Sequence, residues 1–369
     1  LAAAKWGAFP QVSLSSQTIL NDENTRVLNV SQPIWAGGQI SGNIDLASAV
    51  YSETEAVLNV EIKSIILSTS QAFFDVLLSG EKLKIAENNL QEHSKLVKII
   101  QRRFRAKTSP EVDVMLASAR LAQAESQVAQ TKVGQETAWT KLTQLIGVRP
   151  AALLYPQAQE TLSVLGEFAL KDLKIMTQDY SPDIRALSAD VKKSQASVKV
   201  AKSVARPKIS LGYEKRYGEL LLGQEQEQMF LGIDFQPGAG LSSRRQLSAA
   251  KMRVDSSRSN LRALSLETNQ AVEILYQQHL SSKSQIETTR VLVEAMSKVV
   301  ASYLRQYTVG RKSWLDVLNS QRELFQAENA LVDFRLQNVV TGYKLLAEAG
   351  ILQSAYLVKG SNGDLKSND

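Results

Sequence analysis

The sequence predicts a mainly α-helical fold with a smaller β part, in which long antiparallel coiled-coil helices are joined to four amphipathic strands. Three observations indicate this class. The chain repeats itself, its helical segments keep a heptad pattern over unusual lengths, and two pairs of shorter segments alternate apolar and polar residues. The repeat determines how many copies of each element the chain contains.

The chain consists of two similar halves. Near its start, AKWGAFPQVSL is similar to AKSVARPKISL, which begins at Ala201. Farther along each half, RFRAKTSPEVDV aligns without a gap on QYTVGRKSWLDV and pairs Phe104 with Tyr307 and Asp113 with Asp316. A repeat of this size indicates one structural unit used twice, and it predicts pseudosymmetry around a shared axis.

Each half is predicted to contain a strand hairpin followed by two long helices. The first repeat is predicted at 1–148, with a hairpin at 9–36 and helices at 39–105 and 109–147, and a connector follows at 149–181. The second repeat is predicted at 182–350, with a helix at 182–205, a hairpin at 206–237 and helices at 241–308 and 312–349. A C-terminal segment and tail occupy 351–369. The counterpart of the 182–205 helix would precede Leu1, so we expect the natural chain to begin earlier, with a signal peptide and one more helix. The end of the polar tail is expected to be disordered.

The long helices are predicted from their periodicity. Seam residues recur in alternating steps of three and four from Leu83 to Phe104 and from Ile286 to Tyr307, which is the heptad pattern of a coiled coil. The pattern is interrupted at AKTSP (106–110, the first break) and at VGRKS (309–313, the second break) and then resumes, so two antiparallel helices meet at each break. The first helix of each pair contains no proline and would extend about 100 Å, too far for a compact globule.

Four segments beside the long helices alternate with a period of two, as strands do. ISLGYEKRY and MFLGIDFQP place apolar side chains on one face, and QVSLSSQTIL and RVLNVSQPIW repeat the pattern more weakly. Each is close to the roughly 9–11 residues that a tilted strand needs to cross a bilayer. Aromatic residues lie near the strand ends: Trp6, Phe9, Trp35 and Tyr217. Open sheet edges are not tolerated in lipid, so several chains would have to share one barrel.

Glycines occupy the connections PIWAGGQ and PGAGLSS, where each hairpin leads into a long helix. They would supply the unusual dihedral angles that a short strand–helix connection needs, although a plain loop would also contain them. We single out four of them as strand–helix turn residues: Gly37, Gly38, Gly238 and Gly240.

Composition excludes several function classes. The 369 residues include no cysteine and two histidines, so disulfides and thiolate metal sites are excluded and other metal chemistry has few ligands. The net charge of +6 is mixed with acidic residues along helix faces, unlike a nucleic-acid-binding stripe. The sequence has no phosphate-binding glycine loop, no Ser-His-Asp set and no window of roughly 18 apolar residues. We therefore expect no enzyme activity, cofactor, bound metal, nucleic-acid partner or membrane-spanning helix.

The order of hairpin, glycine turn, long helix, break and return helix, all present twice, resembles the TolC family of bacterial outer-membrane efflux and type I secretion ducts. The most specific local similarity is YTVGRKSWLDVLNSQ, which is similar to the family's Tyr-x-Val-Gly turn and Asp-Val-Leu helix start, and FRAKTSPEVDV is its weaker first copy. The resemblance covers the chain to about Leu352. It implies a homotrimer with one shared twelve-stranded β-barrel in outer-membrane lipid and a coiled-coil α-barrel that extends into the periplasm.

The resemblance also implies how such a duct works. Transport through it would be passive, and energy would come from an inner-membrane ATP-binding-cassette exporter or proton-driven pump coupled through a periplasmic adaptor protein. A gate would lie at the helix breaks. The implied residues are Asp113, Tyr307 and Lys312 for the latch, Asp316 and Asn319 for the constriction, and Lys107, Thr108, Gly310 and Arg311 for adaptor docking. Three of these residues depart from the family pattern. The family has Arg where this chain has Lys312, Asp where it has Asn319 and Gly where it has Lys107.

Each interpretation has an alternative. Asp113 and Asp316 both follow a break, where a carboxylate also stabilises a helix start by about 0.3–1 kcal/mol through the helix dipole. Tyr307 and His93 occupy seam positions and could simply be packing residues. For the whole chain, the alternative to a duct is a non-conducting coiled-coil scaffold of the cell envelope, but a scaffold gives no reason for paired amphipathic hairpins.

Overall fold

In the computed structural model, the described residues are 1–19, 23–151, 153, 169–218, 225–236, 238–239 and 242–352. The elements in chain order are α1 (Ala2–Trp6), β1 (Gln11–Ile19), β2 (Glu23–Trp35), α2 (Gln39–Arg105), α3 (Glu111–Ile146), α4 (Leu170–Tyr180), α5 (Pro182–Val204), β3 (Lys208–Tyr217), β4 (Glu227–Asp234), α6 (Ser242–Thr308) and α7 (Trp314–Glu348). Helix dominates and the four strands form one antiparallel sheet, so the predicted fold class is confirmed for the single chain.

The helices after the two breaks, α3 and α7, begin two residues later than the sequence predicts. Pro110 and Ser313 take the N-cap positions in extended conformation, with φ of −73° and −78°, and so remain outside the helices. The connector contains a helix, α4, that the sequence pattern did not predict. Most of the remaining connector and the tail from 353 onward lie outside the described residues.

The sheet has the strand order β1-β2-β3-β4. Its central pair, β2 and β3, comes from different repeats, so this pairing joins the two hairpins. The register places Val30 opposite both Val12 and Tyr213. A register shift occurs after Pro33, where the missing N–H of proline removes a ladder hydrogen bond.

The chain forms two compact units, and each takes segments from both repeats. Unit 1 comprises Leu1–Glu61 and Pro182–Glu267, and unit 2 comprises Ile62–Ser181 and Thr268–Asp369. In unit 1, Lys193 of α5 binds Glu53 of α2 at 2.5 Å, which ties these two helices together beside the sheet.

Unit 2 is built around helix seams and three-helix contacts. Many seam positions hold buried alanines, which let helix backbones approach closely: Ala72, Ala86, Ala117, Ala124 and Ala327. The added helix α4 inserts Leu173 into a core with Val272 of α6 and Leu345 of α7. A nearly buried ion pair, Lys63 to Glu348 at 2.6 Å, joins α2 to the end of α7.

One helix, Gln39–Arg105, contains an 18-residue window with a mean hydropathy of 1.2, apolar enough to cross a membrane by length and composition. No such window was expected from the sequence. A single helix of this kind is weak evidence for a span, because core helices pass the same test. Here Phe74 and Leu78 of this helix pack against Val332 of α7.

Candidate lipid-facing sheet and gate region

The sheet in unit 1 has one apolar and one polar face, because its strands alternate in register. Cross-strand pairing brings apolar residues together on one face: Val12, Leu14, Leu28, Val30, Ile209, Leu211, Tyr213, Met229, Leu231 and Ile233. At its edges this face is open, since Leu14 and Met229 are each 71% exposed. Such exposure of contiguous apolar surface marks an interaction site, because water disfavours it.

The opposite face of the sheet is polar. Glu214 binds Arg216 at 2.6 Å and accepts a longer hydrogen bond from Gln228 of β4. Phe230 is the aromatic exception on this face, and its ring lies against Gly212, where a Cβ would approach to 2.3 Å. The sheet thus separates a mainly apolar surface, which carries the Lys215–Glu227 ion pair at one end, from a hydrophilic one.

The turn from β2 into α2 depends on glycine. Gly37 has φ of +59°, and a Cβ there would lie 2.7 Å from Cβ of Arg206 and 3.1 Å from the Pro207 carbonyl oxygen. Arg206 also donates to the Gly37 carbonyl at 3.3 Å. Two other predicted turn glycines have positive φ, Gly38 at +89° and Gly238 at +79°, and Gly240 lies outside the described residues.

Both helix breaks in unit 2 begin with the same turn. At the first break, the Thr108 amide donates to the Arg103 carbonyl at 2.9 Å and the Lys107 amide to the Phe104 carbonyl at 2.8 Å. At the second break, the Arg311 and Gly310 amides make the equivalent bonds, to Gln306 and Tyr307. This pattern is the Schellman motif, which requires a left-handed residue after the helix.

The left-handed position is filled differently in the two breaks. Gly310 has φ of +77°, and its equivalent Lys107 has φ of +60° and is the one non-glycine with positive φ among the described residues. Lysine at this position is strained by about 1–2 kcal/mol, because Cβ crowds the following carbonyl. All four predicted docking residues are on the two turns, and Lys107, Thr108, Gly310 and Arg311 each place exposed or half-exposed surface there.

Large apolar side chains surround these turns. Five are exposed: the seam residue Phe104, and Val112, Met115, Val309 and Leu315 at positions outside the helix seams. None of the five was predicted from the sequence to line the breaks, although apolar residues at non-seam positions next to a turn are a signal that could have found all but Phe104. They give both breaks an apolar rim beside the charged docking residues.

A compact core lies behind the breaks, where α2, α3, α6 and α7 meet. Tyr307 is 5% exposed, and its ring centroid lies 5.3 Å from that of Trp314. The Arg103 guanidinium also contacts the Tyr307 ring, with Cζ 4.7 Å from its centroid, and donates to the Tyr307 and Thr308 carbonyls at 3.4 Å. This role for Arg103 was not predicted from the sequence.

Three polar groups in this core have no hydrogen-bond partner among the described residues: the Tyr307 hydroxyl, Nε1 of Trp314 and Nε of Arg103. A buried donor without a partner costs about 1–3 kcal/mol. The core at the breaks is therefore held in a conformation that leaves its donors unsatisfied, whereas most buried polar groups in proteins are paired.

The remaining predicted gate residues make local contacts. Asp113 accepts from the Ser109 hydroxyl at 2.9 Å, and the Lys312 ammonium lies 3.9 Å from Asp316 and 4.3 Å from the Tyr303 ring centroid. Within the described part of one chain, the structure brings Lys312 to Asp316 but does not bring Asp113 to Tyr307 or Lys312. Asn319 lies elsewhere, in a pocket between α2, α3 and α7.

Asp316 also caps α7. Its carboxylate accepts from the Ser313 amide at 3.1 Å, and its own amide donates to the Ser313 hydroxyl at 3.1 Å, which completes a capping box. The hydrogen bonds from the Ser313 hydroxyl and amide, followed by the charge of Lys312, lower the pKa of Asp316. The alternative interpretation of Asp316 as a helix cap is therefore confirmed.

The match to known families covers most of the chain. The model of the outer membrane efflux protein family matches residues 2–148 and 176–347. The chain belongs to this family. The resemblance to TolC-type ducts is thereby confirmed, and this efflux protein is located in the bacterial outer membrane and extends into the periplasm.

Relatives of this efflux protein differ in their named roles. It is 23% identical to the alkaline protease secretion protein AprF of Pseudomonas aeruginosa over 351 residues, and this alignment covers 91% of this chain and 71% of AprF. It is 24% identical to the cobalt-zinc-cadmium resistance protein CzcC of Cupriavidus metallidurans over 328 residues, and this alignment covers 86% of this chain and 75% of CzcC. One of these relatives is named for protease secretion and the other for metal resistance.

Solved structures share the fold of this efflux protein. The Campylobacter jejuni CmeC outer membrane channel matches with a TM-score of 0.80 at 15% identity, covering 99% of this chain and 84% of CmeC. The Vibrio cholerae outer membrane protein VceC matches with a TM-score of 0.78 at 15% identity, and the match covers 95% of this chain and 89% of VceC. None of these names describes an enzyme, in agreement with the expectation from the sequence.

Proposed function

We propose that three copies of this efflux protein form one outer-membrane exit duct through which substrates pass passively, with a gate at the helix breaks. The observation that carries the proposal is the four-stranded sheet, which combines an exposed apolar face with outer edges on β1 and β4 that have no partner strand among the described residues. In lipid, each unpaired backbone group costs several kcal/mol, so the edges need partner strands. Three sheets joined edge to edge supply them and close a twelve-stranded barrel.

The orientation of the sheet has a direct test with neighbouring positions on β1. Leu14 is on the apolar face and Ser13 on the polar face. Leu14→Arg places a charge in lipid and costs about 2–4 kcal/mol if it lies near the bilayer midplane, whereas Ser13→Arg faces the water-filled interior. We expect Leu14→Arg to abolish heat-resistant trimers in outer-membrane fractions and Ser13→Arg to leave them. Equal loss in both variants would contradict a lipid-facing apolar surface.

The gate proposal rests on the core behind the breaks. The Tyr307 hydroxyl is buried within its own chain, so the Asp113 carboxylate reaches it only after the break shifts. Lys312 is partly exposed and makes a long contact of 3.9 Å, which leaves it available to a carboxylate of a neighbouring chain. We assign Lys312, Asp113 and Tyr307 to the latch between chains, which the Tyr307 hydroxyl joins once the break shifts. Asp316 and Asn319 are assigned to the constriction.

Single-channel conductance in a planar bilayer tests both conduction and gating. We expect the complete mature protein to give discrete current steps, and the variant with Tyr307→Phe and Lys312→Ser to give larger ones. Lys298→Ser is the matched control, because Lys298 pairs on the surface of α6 with Glu294 at 2.7 Å. Absence of steps from folded, inserted protein would favour the scaffold alternative, and equal steps in all variants would place the gate elsewhere.

Partners follow from the exposed turns. The two breaks present cationic and apolar side chains together, a composition that favours a protein partner at this surface. We propose that a periplasmic adaptor docks there and couples the duct to an inner-membrane ABC exporter or proton-driven pump. Cross-linking from a cysteine introduced at exposed Val309 should capture the adaptor, whereas a cysteine at exposed Leu266 of unit 1 should not.

A further inference from the structure

A small pocket in unit 2 lies between α2, α3 and α7, and of its lining residues only Asn319 has a role in the proposed duct. Its volume is about 70 Å³. Since a water molecule needs roughly 10–15 Å³ of such space, the pocket has room for about five water-sized groups. Its lining is polar and cationic: Asn89, His93, Arg120, Gln123, Gln127, Asn319 and Arg322, with Ala124, Leu318 and Phe325 as the apolar part.

The charges in the pocket wall are unbalanced. Arg120 and Arg322 contribute two guanidinium groups, and the lining includes no carboxylate. Arg120 donates to the side-chain oxygen of Gln123 at 2.8 Å, and neither arginine has an ion pair among the described residues. A guanidinium carries five N–H donors and no acceptor, so most of the donors in this pocket remain available.

His93 adds a buried polar group to the same pocket. The residue is 7% exposed, and no hydrogen bond to its ring occurs in the described part of the chain. Burial, together with the positive charge of Arg120, lowers the pKa of His93 against a small opposing effect of Glu92. Nearby, Asn89 accepts a hydrogen bond from Gln321 at 3.4 Å through its side-chain oxygen, which leaves its amide N–H groups free.

We propose that this pocket binds a small oxyanion of the size and charge of inorganic phosphate. Two arginines in one pocket wall, with further N–H donors, suit the oxygens of a tetrahedral anion, and bidentate Arg–phosphate contacts are among the strongest hydrogen bonds in proteins. The anion would neutralise the two guanidinium groups and supply the acceptor that His93 lacks. This site is a property of one chain and does not depend on trimer formation or conduction.

Equilibrium dialysis of the full chain in detergent against radiolabelled inorganic phosphate at neutral pH tests the proposal. We expect saturable binding with one phosphate per chain, and affinity at least about tenfold weaker in Arg322→Gln, as the loss of a charge-assisted bond implies. Arg305→Gln removes the same charge from an exposed position on α6 and should bind as the wild type does. Arg120→Gln is the second pocket variant, used if Arg322→Gln fails to fold by circular dichroism.

Competition identifies the source of the anion. Sulfate should displace phosphate from the pocket. If the natural ligand is a free ion, glycerol phosphate should compete poorly. If the natural ligand is a phosphate group of a larger molecule, glycerol phosphate should compete as strongly as inorganic phosphate does. No saturable phosphate binding by the wild type, or equal binding by wild type, Arg322→Gln and Arg120→Gln, would overturn the proposal.

Discussion

The two breaks can be compared by opposite substitutions, because they have the same turn with different residues at its left-handed position. Gly310→Ala introduces a Cβ that meets no atom within 4 Å, so its effect comes from the backbone alone. The left-handed conformation costs about 1–2 kcal/mol for a residue with a Cβ, and the lower entropy of the unfolded chain returns about 0.4–1 kcal/mol. The net destabilisation of the second break is about 1 kcal/mol. Lys107→Gly should stabilise the first break by a similar amount.

Hydrogen exchange measured by mass spectrometry resolves the two breaks separately in the full protein. A change of about 1 kcal/mol in local opening corresponds to about a fivefold change in exchange rate. The diagnostic amides are those of Arg311 and Thr108, which make the long bonds of the two turns at 2.9 Å. We expect faster exchange at Arg311 in Gly310→Ala and slower exchange at Thr108 in Lys107→Gly.

A matched control distinguishes the left-handed effect from a general effect of removing glycine. Gly134 lies inside α3, and a Cβ there also meets no atom within 4 Å. Gly134→Ala should therefore stabilise its helix by up to about 1 kcal/mol without changing either break. Exchange at Arg311 that stays at the wild-type rate in Gly310→Ala would refute the assignment of strain to the left-handed position.

Three further outcomes are expected. Lowering the pH through the depressed pKa of Asp316 should speed amide exchange at the start of α7, after correction for intrinsic exchange rates. The stabilisation that the Asp316 carboxylate gains from Ser313 is full above the unfolded pKa of about 3.9 and is lost below the folded pKa. Asp316→Asn should abolish this response. Lys63→Met should destabilise the protein by about 3 kcal/mol in thermal unfolding, because it leaves the mostly buried carboxylate of Glu348 without its cation. The double variant with Glu348→Leu should recover most of this loss. A double variant no more stable than Lys63→Met would contradict the argument. Gly37→Ala should reduce the yield of assembled protein in membrane fractions, since its Cβ would lie 2.7 Å from a side-chain carbon and 3.1 Å from a backbone oxygen, and an unchanged yield would mean that the turn adapts.

Periodicity was enough to predict the main elements of the fold. The heptad pattern extends to Phe104 and Tyr307, and α2 and α6 end within one residue of each. Local capping chemistry was also readable, as the capping box of Asp316 shows. The helix α4 was missed because it has only 11 residues, and its stability comes largely from burying Leu173 between other helices.

The functional residues were harder to predict where they depend on tertiary contacts. Arg103 acquires its role from Tyr307, which is 204 residues away in the chain. The cationic pocket likewise combines His93, Arg120 and Arg322 from three helices, and no local motif connects them. Asp113 and Lys312 remain predictions, since their proposed contacts lie between chains.

The unpaired edges of β1 and β4 also have a consequence for biogenesis. A strand edge with free N–H and C=O groups is a template for pairing with any other extended chain, and here it adjoins an exposed apolar face. In the proposed trimer, a newly exported single chain would therefore be an aggregation hazard in the periplasm until other copies cover its edges. The concentration of single chains before insertion would be limited for the same reason.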